Sequence, residues 1–256
     1  MELRLIQKNV VVTGGASGIG EETAKAFSRE GARVAILDVD SGRGDRVLQE
    51  IRKEGGKADF FRIDLTSEPD IRVGISRIAG EFGGIDILVN NAARYRQGDV
   101  RSFRKIDLED LLAINIVGVL WMTRYVTESM ISSGKKGVIV NVASEAGLVG
   151  IQNQVIYNLT KAAVISITRS CAIDLAPHGI RVNCVCPGTT ETPLLEEALS
   201  RVQDPASVRS SIEKSRPLCR LGQPEEIASA ILMMATDRLG YATGAVLSID
   251  GGYTVW

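Results

Sequence analysis

The chain has 256 residues, of which 45% are hydrophobic and 24% are charged, and this is ordinary globular composition. Its 30 basic and 31 acidic residues leave a formal net charge of −1, and no long run of either sign occurs. A surface that binds nucleic acid or anionic membrane would need a basic patch, so the charge distribution argues against both partners.

Four cysteines are too few for a disulfide framework in a chain of this length. Cys184 and Cys186 would share one face of a strand, but zinc needs about four nitrogen or sulfur ligands and His178 is the single histidine. We therefore expect no metal site. Residues 1–6 lack the apolar core of a signal peptide, which favours a cytoplasmic protein.

Short β-branched runs alternate with longer helical patterns along the chain. Strands are predicted at residues 9–12, 32–37, 59–63, 85–89, 137–142, 181–185 and 245–249. Helices are predicted at about residues 19–30, 44–54, 70–82, 108–132, 155–175 and 225–236. This alternation predicts an α/β fold: a doubly wound, mostly parallel seven-stranded sheet with helices on both faces, in a single domain over residues 1–256.

The least regular stretch, residues 187–217, breaks the alternation after the sixth strand. Ligands of such sheets bind outside the carboxyl ends of the strands, so we expect a substrate lid at about residues 188–217. The alternative is an ordinary long surface loop.

A glycine-rich turn joins the first strand to the first helix, with the spacing G-x-x-x-G-x-G. Glycines there permit a tight turn and close approach to a pyrophosphate, whose charge the helix N-terminus favours. A glycine-rich stretch alone is weak support, but the strand–turn–helix context strengthens it. We assign to cofactor binding Gly14, Ser17, Gly18, Ile19 and Gly20.

Asp38 ends the second strand, where a carboxylate can accept hydrogen bonds from both hydroxyls of an adenosine ribose and would repel a 2′-phosphate. NAD is therefore favoured over NADP. Arg43 and Arg46 follow closely and would suit NADP, although a solvated helix face fits them better. The alternative for Asp38 is a simple turn former, which would leave the choice of cofactor open.

Two further strand ends reach the same edge of the sheet. Asp64 and Leu65 end the third strand, and Asn91 and Ala92 follow the fourth. Their polar side chains and free backbone groups would contact adenine and the nicotinamide ribose. Taken singly, either end could be an Asx turn.

Tyr157 and Lys161 are four residues apart on one helix, so they share a face. The unperturbed pKa of tyrosine is about 10, and a nearby ammonium favours the phenolate. A pKa lowered by ~3 units would require ~4 kcal/mol of differential stabilisation. Tyrosine and lysine meet at this spacing by chance in many helices, so the pair alone is weak support.

Two polar residues strengthen the interpretation of that pair. Ser144 directly follows the fifth strand, where its hydroxyl could hold a substrate oxygen beside the phenol, or could simply cap a helix. Asn115 interrupts an otherwise apolar helix. Its amide needs a partner and could anchor a water that links Lys161 to solvent, or could be satisfied as a packing residue.

With these motifs in order, the whole chain resembles the short-chain dehydrogenase/reductase family, in its single-domain, Rossmann-type form. The matching residues are Thr13-Gly14-x-x-x-Gly18-x-Gly20, Asp64, Asn90-Asn91-Ala92, Asn115, Ser144, Tyr157-x-x-x-Lys161, Pro187-Gly188 and Asp250-Gly251-Gly252. One departure is Ala93, where the family usually has glycine.

The resemblance implies Tyr157 as general acid/base, with Lys161 as modifier of its pKa and ligand of the nicotinamide ribose. It implies Ser144 as substrate orienter and Asn115 as support of a proton relay. The segment after the sixth strand would touch the nicotinamide end of the cofactor, through Pro187, Gly188, Thr190 and Thr192.

The expected activity is NAD(H)-dependent interconversion of a secondary alcohol and a ketone. The alternatives are a 3-oxoacyl-thioester reductase and, in a different class, a non-catalytic dinucleotide sensor. The polar side chains among the substrate-pocket candidates favour a hydroxylated substrate, such as a polyol, a sugar acid or a cyclic diol. The candidates are Arg94, Tyr95, Arg96, Glu145, Gly147, Val149, Gln152, Asn153, Gln154, Leu194 and Leu195.

The family usually forms dimers or tetramers through the helices that carry Asn115 and Tyr157. Trp256 would be costly to leave exposed, so a subunit interface is a reasonable place for it. We therefore expect a homo-oligomer, dimer or tetramer.

Overall fold

Seven parallel strands form one sheet in the computed structural model, which describes residues 5–256. The strands are β1 (Asn9–Thr13), β2 (Arg33–Asp38), β3 (Lys57–Arg62), β4 (Ile87–Asn90), β5 (Val138–Val142), β6 (Arg181–Pro187) and β7 (Val246–Ile249). Their order across the sheet is β3-β2-β1-β4-β5-β6-β7. The predicted fold class is confirmed. Part of the opening segment considered for a signal peptide, residues 1–4, lies outside the described residues.

Helices cover both faces of the sheet, and each predicted helix is present within a few residues. They are α1 (Gly18–Arg29), α2 (Ser41–Lys53), α3 (Glu68–Phe82), α4 (Lys105–Leu112), α5 (Val119–Ser132), α6 (Val155–Leu175), α7 (Pro193–Leu199), α8 (Pro205–Lys214) and α9 (Pro224–Ala235). The helix predicted over residues 108–132 begins earlier, and a π-helical turn (Ala113–Gly118) separates α4 from α5. None of the helices in the described residues is both long and apolar enough to cross a membrane.

The stretch predicted to be least regular contains two short helices, α7 and α8. In each, proline occupies the first turn, and the preceding residue caps the helix: the Thr192 side chain accepts the Leu195 backbone N–H, and the Asp204 side chain accepts that of Ser207. Neither helix has a buried residue. Their apolar residues do not repeat regularly enough for periodicity to predict these helices. The capping residues and the prolines that follow them are, however, helix-start signals in the sequence.

Helices bury both faces of the sheet. Successive strand residues point to opposite faces, so neighbouring residues of one strand pack in different layers. Val10 and Val12 of β1 pack in the layer formed with α1, α2 and α9. Val11 packs in the other layer, formed with α3, α5 and α6. This two-sided burial explains why the strands are nearly continuous apolar runs.

Strand order reverses between β1 and β4, which are neighbours in the sheet although β2 and β3 come between them in the chain. From this point the chain winds outward in both directions, leaving a crevice at the carboxyl ends of the strands. The glycine turn, the ends of β2 to β6 and the segment with α7 and α8 all lie at this edge.

Candidate active site

The glycine turn after β1 is held in shape by Asn91. Its side-chain amide donates to the carbonyl oxygens of Thr13 at 3.0 Å and of Gly14 at 3.2 Å. Gly14 has a φ of 61°, in the left-handed region that favours glycine. A Cβ at Gly20 would lie 2.1 Å from the Gly14 carbonyl oxygen, so only glycine lets α1 begin this close to the turn.

The end of β2 places the Asp38 carboxylate against the same turn. Its Oδ2 accepts the Ala16 backbone N–H at 3.2 Å, and its Oδ1 accepts the backbone N–H groups of Val39 at 2.8 Å and Asp40 at 3.1 Å. Asp38 therefore does form a turn, the alternative that the sequence left open, and it also lines the main cavity.

The two arginines after Asp38 are engaged by acidic partners. Arg46 pairs with Glu21 at 2.6 Å and with Glu50 at 2.9 Å. Arg43 pairs with Asp40 at 3.4 Å and lines the cavity.

The ends of β3 and β4 add further polar groups. The Asp64 carboxylate accepts the backbone N–H of Thr66 at 2.9 Å and its hydroxyl at 2.7 Å. These hydrogen bonds hold the pKa of Asp64 below its usual range. The Thr13 hydroxyl accepts the backbone N–H groups of Asn91 and Ala92, each at 3.0 Å, and so joins β1 to the loop after β4.

Tyr157, Lys161 and Ser144 lie together. Tyr157 and Lys161 are one turn apart on α6, and the Lys161 Nζ lies 5.7 Å from the centroid of the Tyr157 ring. The Ser144 hydroxyl is hydrogen-bonded to Tyr157 and also accepts the Ala146 backbone N–H at 3.1 Å. The Lys161 ammonium donates to the Val142 carbonyl oxygen at 2.9 Å. Ser144 thus caps a short helical turn and contacts the phenol.

Burial sets the protonation state of both groups on α6. It raises the pKa of the Tyr157 phenol well above its usual range, although the Ser144 hydrogen bond lowers it and Tyr95 and Glu145 raise it further. Burial also lowers the pKa of Lys161 to about 8. Among the protein's own groups burial is the largest influence on the pKa of Tyr157, and the lowering of that pKa by Lys161 together with the charge of the nicotinamide stays a prediction.

Asn115 lies in the π-helical turn and is 1% exposed. Its side-chain oxygen accepts the Arg94 backbone N–H at 2.8 Å, and its amide nitrogen donates to the Arg94 carbonyl oxygen at 2.9 Å and to the Thr160 hydroxyl at 3.1 Å. The amide therefore ties the loop after β4 to α6, beside Lys161.

A cavity of about 940 Å³ runs along this edge of the sheet. Of the residues predicted for cofactor binding and catalysis, Gly20 and Asn115 are not among the residues that line it. The others line it: Gly14, Ser17, Gly18, Ile19, Asp38, Asp64, Leu65, Asn91, Ala92, Ser144, Tyr157, Lys161, Pro187, Gly188, Thr190 and Thr192.

The substrate-pocket candidates are only partly brought together. Those that line the cavity are Arg94, Tyr95, Glu145, Gln154, Leu194 and Leu195. Those outside the lining are Arg96, Gly147, Val149, Gln152 and Asn153. The Tyr95 ring meets the Tyr157 ring edge to face, with centroids 5.0 Å apart.

Arg216 and Tyr253 line the cavity and were not predicted. Arg216 is 3% exposed, pairs with Glu145 at 2.6 Å, and lies over the Tyr253 ring, 5.0 Å from its centroid. Its neighbours in the sequence, Ser215 and Pro217, form no apolar pattern that would predict a buried position. The burial of Arg216 and its contact with Tyr253 are therefore visible only in the fold.

The two cysteines on β6 share a face, as predicted, with their Sγ atoms 3.9 Å apart. Over residues 5–256 no group of three or more histidine, cysteine, aspartate or glutamate side chains is arranged to hold a metal ion.

The residues of the cavity fit a dinucleotide. The N-terminus of α1 and the glycine turn form a cradle for a diphosphate. A Cβ at Gly18 would lie 3.1 Å from the Thr192 side chain, so the cradle is closed on the lid side by Thr192. Asp38 lines the cavity beside the glycine turn, and Tyr157 lines it beside Tyr95.

Comparison with known proteins agrees with this geometry. Residues 14–254 match a protein family described as enoyl-(acyl carrier protein) reductase. The chain is similar to cis-4-hydroxycyclohexanecarboxylate dehydrogenase of Sinomonas cyclohexanicum, with 39% identity over 97% of both chains. It is also similar to 3-oxoacyl-[acyl-carrier-protein] reductase of Thermotoga maritima, with 36% identity over 99% of this chain and all of the other.

A solved structure, a short-chain type dehydrogenase/reductase from Mycobacterium marinum, superposes with a TM-score of 0.94 at 34% identity. The match covers 100% of this chain and 98% of the other. The protein is thus an oxidoreductase of a kind that binds a nicotinamide dinucleotide. The chain belongs to the short-chain dehydrogenase/reductase family.

Proposed function

We propose that the protein interconverts a secondary alcohol and a ketone with NAD(H), with Tyr157 as general acid/base. The observation that carries the proposal is the grouping of the Tyr157 phenol, the Ser144 hydroxyl and the Lys161 ammonium in the cavity that Asp38 also lines.

NAD is favoured by the charges around Asp38. A 2′-phosphate would meet the carboxylate of Asp38, which lines the cavity. Of the two nearby arginines, Arg46 is paired with Glu21 and Glu50, and Arg43, which lines the cavity, is paired with Asp40. Three of the about four acceptor sites of the Asp38 carboxylate take backbone N–H groups, which leaves one on Oδ2 that can accept a ribose hydroxyl.

The protein's own groups hold and move a proton at the substrate oxygen. Ser144 orients that oxygen, and the protonated Tyr157 phenol donates to it during ketone reduction. A bound nicotinamide would supply the hydride for ketone reduction or accept it in alcohol oxidation, and its oxidised form would carry a positive charge. Alcohol oxidation needs the Tyr157 phenolate. The Lys161 ammonium, 5.7 Å from the centroid of the Tyr157 ring, together with that positive charge would oppose the rise in the phenol pKa that burial causes.

Asn115 supports a relay that returns the proton to solvent. Its amide holds Thr160, the residue before Lys161, and Lys161 in turn lies beside the Tyr157 ring. Since the side-chain oxygen of Asn115 retains one lone pair beyond its bond to Arg94, it can accept a water that continues the path.

We further propose that residues 188–217 act as a lid and that the substrate is an alicyclic secondary alcohol. The lid side of the cavity is largely apolar, formed by Leu194, Leu195, Ala198, Leu199, Val202, Val208 and Ile212. A ring with one oxygen to be placed near Ser144 suits these surroundings. The relative from Sinomonas cyclohexanicum is named for a hydroxylated cyclohexane ring.

The alternative, a 3-oxoacyl-thioester reductase, is supported by the relative from Thermotoga maritima. Such enzymes commonly use NADP, so Asp38 argues against it.

We also expect the protein to be a cytoplasmic homo-oligomer, a dimer or a tetramer.

The test is a screen of NAD+ and NADP+ against cyclohexanols, cyclopentanol, acyclic polyols and, in the reductive direction, a 3-oxoacyl thioester. We expect turnover of an alicyclic alcohol with NAD+, and a loss of about 10²- to 10⁴-fold in kcat for Tyr157→Phe. Tyr241→Phe, at a fully exposed tyrosine, is the control. Undiminished turnover by Tyr157→Phe would contradict the assigned chemistry.

The cofactor is tested separately by Asp38→Ser. Loss of hydrogen bonds from a charged group, each worth about 1.5–3 kcal/mol, is expected to lower kcat/KM with NAD+ by at least about tenfold. Asp40→Ser, which removes a neighbouring carboxylate outside the cavity lining, is the matched control. Strong preference of the unaltered protein for NADP+ would overturn the assignment.

A further inference from the structure

The lid lacks a core of its own. Across residues 191–220, all within the described part of the chain, Arg216 is the single buried residue. A guanidinium loses solvation when it is buried, so burial at this position requires strong compensating partners. These partners show what Arg216 holds together.

Arg216 joins the end of α8 to two loops at the carboxyl edge of the sheet. Its Nη2 donates to Glu145 Oε1 and to the Thr189 hydroxyl, both at 2.6 Å. Thr189 in turn donates to Glu145 Oε1 at 3.2 Å. The other terminal nitrogen, Nη1, donates to the Ile212 carbonyl oxygen at 2.6 Å, within the last turn of α8. One side chain therefore connects both ends of the lid, at Thr189 and at the last turn of α8, to the loop after β5.

The Glu145 side of this contact is rigid and adjoins the catalytic group. Glu145 directly follows Ser144 and is 4% exposed. A Cβ at Gly147 would lie 2.7 Å from the Lys161 carbonyl oxygen, so the turn that begins at Ser144 rests directly on α6. A Cβ at Gly188 would lie 2.9 Å from Glu145 Oε2, so the carboxylate is also enclosed from the β6 side.

We propose that Glu145 and Arg216 form an ionic anchor that fixes the end of the lid on the loop that carries Ser144. Both are positioning residues: they act through Ser144 and through the apolar lid residues above it, and they transfer no proton. The role in substrate positioning rests on the proposed function. The anchoring of the lid rests on these contacts alone.

The decisive variant removes both charges together. Glu145→Gln alone would leave Arg216 buried without its carboxylate and would endanger folding. The double variant Glu145→Gln/Arg216→Met removes both charges of the pair, so neither is left buried without its partner, and replacing a whole buried ion pair is often neutral for stability. Its matched control is Glu226→Gln/Arg220→Met, which removes an Arg–Glu pair that is also 2.6 Å long but exposed and outside the cavity lining.

The first measurement is backbone hydrogen exchange of residues 188–217 in the full-length protein. We expect exchange about tenfold faster or more in the double variant, and unchanged exchange in the control. The second measurement is steady-state kinetics with the alcohol found in the screen. We expect kcat/KM to fall about tenfold or more, mainly through KM, because the lid and Ser144 no longer hold the substrate in register.

A double variant that folds and keeps the exchange rates and KM of the unaltered protein would overturn the anchor. Faster lid exchange with unchanged KM would retain the anchor and reject its role in substrate positioning. If the unaltered protein oxidises no alcohol, the proposed function fails, and hydrogen exchange still decides whether the anchor exists.

Discussion

At the scale of single residues, the site depends on charged groups that the fold has removed from water. Lys161 and Arg216 are each 3% exposed and Glu145 is 4% exposed. Desolvation raises the pKa of Glu145, while its pairing with Arg216 opposes the rise. Within residues 5–256 Lys161 has no carboxylate partner of this kind, and its ammonium donates to the Val142 carbonyl oxygen. The charged form of Lys161 therefore lowers the free energy of unfolding while it places an ammonium beside Tyr157.

The destabilisation by charged Lys161 can be measured as a function of pH. The pKa of Lys161 falls from 10.5 to about 8 in the folded protein, which corresponds to a cost of about 3 kcal/mol when the group is charged. The cost is fully present below about pH 8, since the group is then protonated in both states, and it disappears as pH rises towards 10.5.

We predict that Lys161→Met raises the free energy of unfolding at pH 7 by about 1–3 kcal/mol while abolishing activity. The lost hydrogen bond to Val142 accounts for the lower end of this range. The gain should shrink by about pH 9.5, as measured by urea denaturation at both pH values. Lys53→Met, at an exposed lysine, should show no such trend. A variant that is less stable by the same amount at both pH values would contradict the argument.

At the scale of elements, short local signals place the groups that bind and react. The turn before α1 depends on glycine because the backbone comes too close for any side chain. The caps at Thr192 and Asp204 begin the two lid helices. The π-helical turn turns Asn115 inward, where its amide holds the Arg94 backbone. Each element contributes one local constraint to the site.

The glycine turn supplies a matched pair of substitutions. We predict that Gly20→Ala lowers the free energy of unfolding by at least about 2 kcal/mol, because its Cβ would lie 2.1 Å from a backbone oxygen. Gly80→Ala, on α3, is expected to raise it by about 0.5–1 kcal/mol, since a Cβ there has nothing within 4 Å. Chemical denaturation of both variants tests the contrast, and equal effects would refute it.

At the scale of the whole molecule, parallel winding outward from β1 and β4 brings distant segments of the chain to one edge. The same winding leaves apolar side chains on the outer faces of the helices that carry the site. Leu159 and Ile173 of α6 are 54% and 76% exposed, and Leu120 of α5 is 44% exposed. Trp256 is 74% exposed. These surfaces are the basis for expecting a homo-oligomer.

We predict a mass of two or four times 27.5 kDa in dilute solution, measured by light scattering after size-exclusion chromatography. Leu159→Glu should lower this mass, because it places a charge on the outer face of α6. Val73→Glu, at an exposed apolar residue on α3, should leave it unchanged. A single-chain mass for the unaltered protein would contradict the prediction.

Periodicity and local motifs were sufficient to predict all seven strands, the parallel sheet and the grouping of Tyr157, Lys161, Ser144 and Asp38 in one cavity. These features follow from interactions that are local in sequence: alternation of apolar residues, glycine geometry, and positions directly after strand ends. The family resemblance carried the same information in its ordered motifs.

Only the tertiary structure decided the features that depend on burial and on distant partners. Burial, rather than Lys161, dominates the pKa of Tyr157. Arg216 is 71 residues from Glu145 in the chain, and no local pattern marks either as buried. Desolvation and long-range pairing depend on which groups the complete fold places around a side chain. They therefore cannot be predicted from residues that are neighbours in the sequence.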